Sequence, residues 1–338
     1  MSKTSIEWLP AWRLNLCRSS GDTMGTRYSA RFHAPPGADL RGIVADLAAA
    51  VTAVDDQMSN WKADSDLSRL NRAAVGDWVP LPANLAAVLM RSLDIGRETG
   101  NAFNIGVGNL VRAWGFGPTR GKRAPIRPEG ARPCPALDEL LEIDIGGCRA
   151  RKHQPLALDL CGIAKGFGVD ELARVLDRQG IGSWLVGIDG ELRSRGTKPD
   201  GAPWAIALEA PEDDRRAAMG VVELGDAAIA SSGDYRHWLE IDGKRISHTM
   251  DPRAGQPLRG ALAAVTVIAP VCADADAYAT ALMVLGPQAG HECARRLGLD
   301  ALFVSRVGDG LQASGTGSFE CLQEAAAPGP RASGAPGT

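Results

Sequence analysis

Apolar residues recur three and four positions apart over 40–54, at Ile43, Leu47, Ala50, Val51 and Val54. That spacing places them on one face of an amphipathic helix. The same reasoning predicts helices over 85–99, closed by Gly100, over 170–176 with Leu172, Val175 and Leu176 on one face, and over 273–285, where the residues are small. Strands are predicted from about Asp22 to Phe32, after a tight glycine turn at Met24-Gly25, and over 140–145 and 149–160, joined by Gly146-Gly147. Further strands are expected at 184–193 (interrupted by glycines), 204–209, 220–224 and 264–268. Residues 101–117, with several glycines and asparagines, read as a loop shaped to bring backbone against a ligand, because glycine is costly in a plain helix or strand. Residues 119–135 read as an exposed loop, 1–20 as a variable extension and 326–338 as a disordered tail. Strands and helices mixed along one chain predict a mixed α+β fold.

At 338 residues, 45% hydrophobic and 23% charged, the chain is long enough for one large domain with ample core. Its 37 basic and 40 acidic residues leave a formal charge of −3, and no basic block suggests a nucleic-acid footprint. Seven scattered cysteines without a C-x-x-C pair argue against a disulfide framework or a zinc site and for a reducing compartment. Residues 1–20 contain Glu7, Pro10 and Arg13 and lack a continuous apolar core of signal-peptide length; no stretch is apolar enough to span a bilayer. A soluble, cytoplasmic protein is the expectation.

The candidate chemistry centres on 158–170. Leu158-Asp159-Leu160 reads as a strand, Gly162 and Gly166 break it, and a helix follows. A strand, a glycine turn and a helix start can present backbone N–H groups to an anion. Lys165 adds a positive charge there, and Asp159 a hard oxygen ligand or ribose acceptor. An ordinary turn with a surface lysine is the other reading. Asp276 and Thr280 stand four apart in a helical run and share a face. A carboxylate with a hydroxyl suits Mg²⁺ rather than zinc, or else Asp276 faces solvent and Thr280 back-bonds within the helix. Trp61, among polar residues, is either a packing residue or a flat surface for a ring-shaped ligand. Ser65 is placed to cap a short helix, and Ser68 and Asn71 to tie down a loop. For His248, before a proline turn, a polar contact, a proton shuttle and a satisfied turn histidine all remain open.

Seven segments taken together resemble the ApbE family of FAD:protein FMN transferases: Met24-Gly25-Thr26, 59–71, 100–117 with Ala102-Phe103-Asn104, 159–170, 232–236, Ser247-His248-Thr249-Met250-Asp251-Pro252 and 275–280. They run in family order across roughly residues 20–320. The resemblance implies a single catalytic domain over 21–325 with two lobes and the flavin in the cleft between them. It implies that Met24, Trp61, Ala102, Phe103 and Asn104 line the FAD site, that Asp159 and Lys165 hold FAD, and that Met250 touches it through backbone. His248 adjoins the flavin in the same turn. Mg²⁺ would be held by the Gly162 carbonyl, the Asp276 carboxylate and the Thr280 hydroxyl. The implied reaction moves FMN from FAD onto a Thr or Ser hydroxyl of an acceptor flavoprotein and releases AMP, with the Mg²⁺ held at Asp276 neutralising the pyrophosphate, Lys165 offsetting further negative charge and His248 the candidate proton acceptor. A Mg²⁺-dependent FAD pyrophosphatase and a non-catalytic flavin-binding protein are the alternatives.

Two positions depart from the family pattern. Asn104 stands where Asp is common, and Asp189-Gly190 where Gly-Gly is common, so the turn differs or a carboxylate is added near the site. The absence of the usual export signal fits cytoplasmic members.

Overall fold

The computed structural model describes residues 5–9, 15–117, 132–212, 217–235, 238–241 and 244–324. Its frame is a nine-stranded antiparallel sheet. The strands are β1 (Ser5–Leu9), β2 (Asn15–Thr23), β3 (Thr26–Ala34), β4 (Trp184–Ile188), β5 (Glu191–Arg195), β6 (Ala228–Gly233), β7 (Leu262–Ala269), β8 (Asp300–Val307) and β9 (Gly310–Thr316). Their spatial order is their order in the chain, which agrees with the mixed α+β expectation once the helices are placed. β2 begins at Asn15 and pairs with β3 along its whole length, so residues 15–20 are part of the sheet. The turn between them puts Met24 at φ +47° and Gly25 at φ +71°, the two positive φ values that match the twist of a tight hairpin.

Between β3 and β4 the chain leaves the sheet and builds five helices: α1 (Leu40–Met58), α2 (Asp66–Arg72), α3 (Ala83–Glu98), α4 (Gly108–Ala113) and α5 (Ala164–Arg178). After β7 come α6 (Cys272–Leu285) and α7 (Pro287–Leu297). The alternation of β4 shows how the sheet is used. Trp184, Val186 and Ile188 are buried with Tyr28 and Phe32 of β3 against Ile43, Leu47 and Val51 of α1 and Leu172 and Leu176 of α5. Leu185 points the other way, onto a cluster built from β6, β8 and the hairpin of Trp204–Glu209 with Ala218–Leu224. A larger core joins α2, α3, α5, α6 and β7 through Leu67, Leu89, Phe167, Val265 and Leu282. Met24 packs against both of the helical cores.

Three local expectations are corrected. The strand at 149 stops at Lys152, and 156–160 run irregularly. There the backbone groups of Leu158 bond to the side chain of Asn71 (2.9 and 2.7 Å) instead of to a strand. The segment 184–193 is two strands, folded at Asp189-Gly190, where Asp189 takes φ +56°. Residues 101–117 are not a plain loop: Ile105–Val107 is a 3₁₀ turn and α4 follows, the Gly106 amide bonding to the Asn104 side chain (2.7 Å). The Ser65 cap is present, its hydroxyl accepting from the Ser68 amide (3.0 Å). The tail expected at 326–338 and most of the loop at 119–135 lie outside the described residues. Among the described residues no helix is long and apolar enough to cross a membrane.

Candidate functional site

Two helix starts meet at the centre of the candidate site. α6 is almost uniformly buried and made of small residues, as expected for a helix enclosed on all sides. It packs on α5, β6 and β7 and is tied to α3 by Arg91. That guanidinium donates to both oxygens of Asp274 (2.9 and 3.1 Å) and to the Tyr278 hydroxyl (2.9 Å). Asp276 and Thr280, between and beyond these anchors, face the first turn of α5. The Asp276 carboxylate accepts from the Gly166 amide (3.1 Å), and the Thr280 hydroxyl lies 2.9 Å from that of Ser232 on β6.

Gly162, just before α5, closes the other side. A Cβ there would lie 3.1 Å from the Thr280 hydroxyl and 3.3 Å from the Phe103 ring. The structure therefore brings Gly162, Thr280 and Phe103 together and places Asp276 one helical turn away from Thr280. Asp159 anchors the approach to Gly162. Its carboxylate accepts from the Cys161 amide (2.9 Å), and its own amide donates to the Ile105 carbonyl (2.7 Å).

Lys165 extends from the same turn to Glu191 on β5 (2.6 Å) and lies 3.7 Å from Asp189. Asp189 thus does add a carboxylate here, from a left-handed turn position. Burial by itself would lower the Lys165 ammonium, but Glu191, Asp276 and Asp189 carry it above its ordinary value. Burial also pushes up both Asp276 and Glu191, with Lys165 opposing the rise in each. Two buried carboxylates sharing one ammonium leave excess negative charge in a region of low dielectric. One Glu191 oxygen is buried with no hydrogen-bond partner. The Asp276 carboxylate and the Thr280 hydroxyl, with excess anionic oxygen near them, are donors that suit a hard divalent cation such as Mg²⁺. Among the described residues no cluster of three or more His, Cys, Asp or Glu is placed to hold a metal ion.

The remaining predicted residues occupy several different settings. Met24 touches the helix at Gly168, where a Cβ would lie 3.1 Å from its methyl group. Ala102 and Phe103 are buried. Asn104 is buried too, and its amide nitrogen donates to Asn101 (2.7 Å) and the Pro135 carbonyl (3.0 Å). Both donors are spent inside the protein, so Asn rather than Asp suits this position as it stands. Met250 lies buried with Trp114 and Ile246 against Phe116, and the His248 ring meets Phe116 edge-on at 6.5 Å. The structure thus joins the 101–117 segment to the His248 turn. Trp61 is 60% exposed after the end of α1, so it is not a packing tryptophan.

Sequence reasoning missed Glu191, Ser232 and Asp170. Glu191, at a turn and opening a polar strand, looks like any acidic surface residue; Ser232 and Asp170 carry no local sign, because their partners lie 48 and 102 residues away.

Comparison with known proteins bears on the family and the fold. Residues 24–303 match the ApbE family. The chain is 36% identical over 313 residues to the FAD:protein FMN transferase of Vibrio cholerae, covering 92% of this chain and 93% of that one. It is 35% identical over 304 residues to the protein of that name from Escherichia coli K12, covering 86% and 85%. In three dimensions it resembles the apo form of the Pseudomonas stutzeri flavinyl transferase ApbE, with a TM-score of 0.83, 37% identity and coverage of 94% and 100%. Sequence and fold together show that this chain belongs to the ApbE family.

Proposed function

We propose that this protein is an FAD:protein FMN transferase, moving FMN from FAD to a Thr or Ser hydroxyl of an acceptor flavoprotein and releasing AMP. The observation that carries the reading is the nearness of Lys165 and Asp276 at two adjoining helix starts, Asp276 bonding to the Gly166 amide next to Lys165 and holding the ammonium's charge. The family relationship supplies the substrate class.

In this reading the acceptor hydroxyl oxygen attacks the FMN phosphorus of FAD, and the bond from that phosphorus to the bridging oxygen breaks. AMP leaves with the bridging oxygen. Phosphoryl transfer of this kind depends mainly on positioning and charge neutralisation. Lys165, held by Glu191, offsets pyrophosphate charge. His248 takes the proton of the attacking hydroxyl, imidazole being the side-chain type suited to accepting a proton near neutral pH. Met24, Trp61, Ala102, Phe103 and the Met250 backbone seat FAD, with Asp159 as a polar contact and Asn104 shaping the segment that carries Phe103. Mg²⁺, held by the Gly162 carbonyl, Asp276 and Thr280, would neutralise the pyrophosphate and stabilise the leaving oxygen. The reading places the reaction in the cytoplasm, a reducing compartment that suits scattered cysteines without a C-x-x-C pair.

The test is AMP release from FAD by purified protein with Mg²⁺, with and without a flavoprotein acceptor, and with a chelator. AMP released only with acceptor, and flavin that stays on the acceptor through denaturing electrophoresis, is the expected result. AMP released without acceptor would establish a pyrophosphatase instead, and bound FAD with no AMP in any tube would establish a binding protein.

A further inference from the structure

Helices α5 and α6 both begin without a capping side chain of their own: the residues at their N-caps are Ile163 and Val271. Each start leaves backbone N–H groups without partners inside the helix. The missing acceptors come from the opposite helix. Asp170 of α5 accepts from the Cys272 amide through one oxygen and from the Ala273 amide through the other, both at 2.9 Å. Asp276 of α6 accepts from the Gly166 amide at 3.1 Å. The two carboxylates are 2% and 4% exposed. A carboxylate at a helix N-terminus is also favoured by the helix dipole.

Two features make this exchange tight. At Gly166 a Cβ would sit 2.3 Å from the Cys272 carbonyl oxygen, so the two backbones are in contact. Arg193 of β5 donates to Asp170 at 2.6 Å, which fixes the carboxylate from the sheet side. Arg193 is two residues from Glu191, the partner of Lys165. One short strand therefore holds the ammonium limb of the site and the cap of the metal limb.

We propose that Asp170 is a positioning residue: by capping α6 from α5 it sets where Asp276 and Thr280 stand relative to Gly162 and Lys165, and so sets the affinity of the site for a divalent cation. The inference rests on the metal reading of Asp276 and Thr280 given above. Asp170 itself touches neither substrate nor metal. Its counterpart, Asp276, is both a metal ligand and the cap of the helix that carries Lys165, so the two limbs are assembled together or not at all.

Asp170→Asn keeps the side-chain size, removes the charge and replaces one acceptor oxygen with a donor. In the full-length variant, amide exchange read by mass spectrometry is expected to rise at least tenfold over 271–276 and over 164–168, with the β7–β8 pair unchanged. Mn²⁺, titrated without FAD and followed by electron paramagnetic resonance, is expected to bind at least tenfold more weakly. FAD affinity in chelator should stay within threefold, and raised Mg²⁺ should restore most of the transfer rate. Exchange within twofold of wild type at 271–276 overturns the cross-cap. Faster exchange with Mn²⁺ affinity within twofold of wild type overturns the positioning role, because a merely stabilising residue would behave that way. Wild-type protein that takes up no Mn²⁺ overturns the metal reading itself, which the exchange data separate from failure of the cross-cap. Should Asp170→Asn not fold, Arg193→Gln carries the test: Mn²⁺ binding about threefold weaker is expected, and unchanged binding overturns the inference.

Discussion

Gly166→Ala adds one methyl group to a helix, a change that ordinarily stabilises by about 0.4–1 kcal/mol where the backbone is compatible. Gly166 has no positive φ, so helix propensity alone predicts a gain. The surroundings predict the reverse. The new Cβ would meet the Cys272 carbonyl oxygen at 2.3 Å, its carbon at 2.7 Å and the Ala273 Cα at 2.8 Å. All three are backbone atoms at the start of α6, so neither a rotamer change nor a flexible tip can relieve the contact. Forcing the helices apart costs about 1–3 kcal/mol as overpacking. The Gly166 bond to the buried Asp276 carboxylate is lost with it, at about 1.5–3 kcal/mol for a bond to a charged group. After the propensity gain, the net loss is about 2–5 kcal/mol. Gly168→Ala, one residue beyond the next in the same helix, is the internal control. Its Cβ meets the Ile188 Cδ1 at 2.7 Å and the Met24 methyl at 3.1 Å, which are far ends of flexible side chains, and a change within about 1 kcal/mol is expected. Urea unfolding of the three proteins, followed by circular dichroism, measures both differences. A Gly166→Ala protein as stable as Gly168→Ala would refute the contact argument.

Asp276→Ala should abolish Mg²⁺-dependent AMP release while far-ultraviolet circular dichroism stays native; activity retained at low Mg²⁺ would show that the metal lies elsewhere. His248→Ala should slow transfer at least a hundredfold with FAD affinity nearly unchanged in fluorescence titration, and a full transfer rate would remove His248 from the mechanism. Asn71→Ala strips both backbone groups of buried Leu158 of their partners and should cost about 2–4 kcal/mol in the same unfolding assay. His33 stacks on Trp204 at 5.9 Å, and burial lowers its pKa from 6.5 against the pull of Asp200. The unfolded chain therefore takes up the proton first, and stability should fall as pH drops below 6.5; His33→Phe should flatten that part of a melting-temperature profile against pH.

What the chain declares locally is what its own neighbours decide. The periodicity of Ile43, Leu47, Val51 and Val54 marks α1 because a helix needs one apolar face, and Met24-Gly25 marks the β2–β3 hairpin because its turn needs positive φ. Lys165 and the Asp276–Thr280 pair are visible as chemistry because charge and spacing are local properties, although each kept a bland reading until the segments were taken together. Their meeting is not visible, because it depends on contacts between distant residues. Asp170 reaches its partners across 102 residues, and Asn71 reaches Leu158 across 87. Leu158-Asp159-Leu160 has the alternation of a strand, yet it becomes irregular backbone because a side chain supplies its hydrogen bonds. Glu191 looks like one more acidic residue at a turn, and only burial beside Lys165 and Asp276 gives it a partner and an unsatisfied oxygen. Residue type and spacing thus determined which groups can do the chemistry. The packing of α6 against α5 and β6 decided which of them face one another, since burial and helix capping are set by whatever the rest of the fold brings alongside.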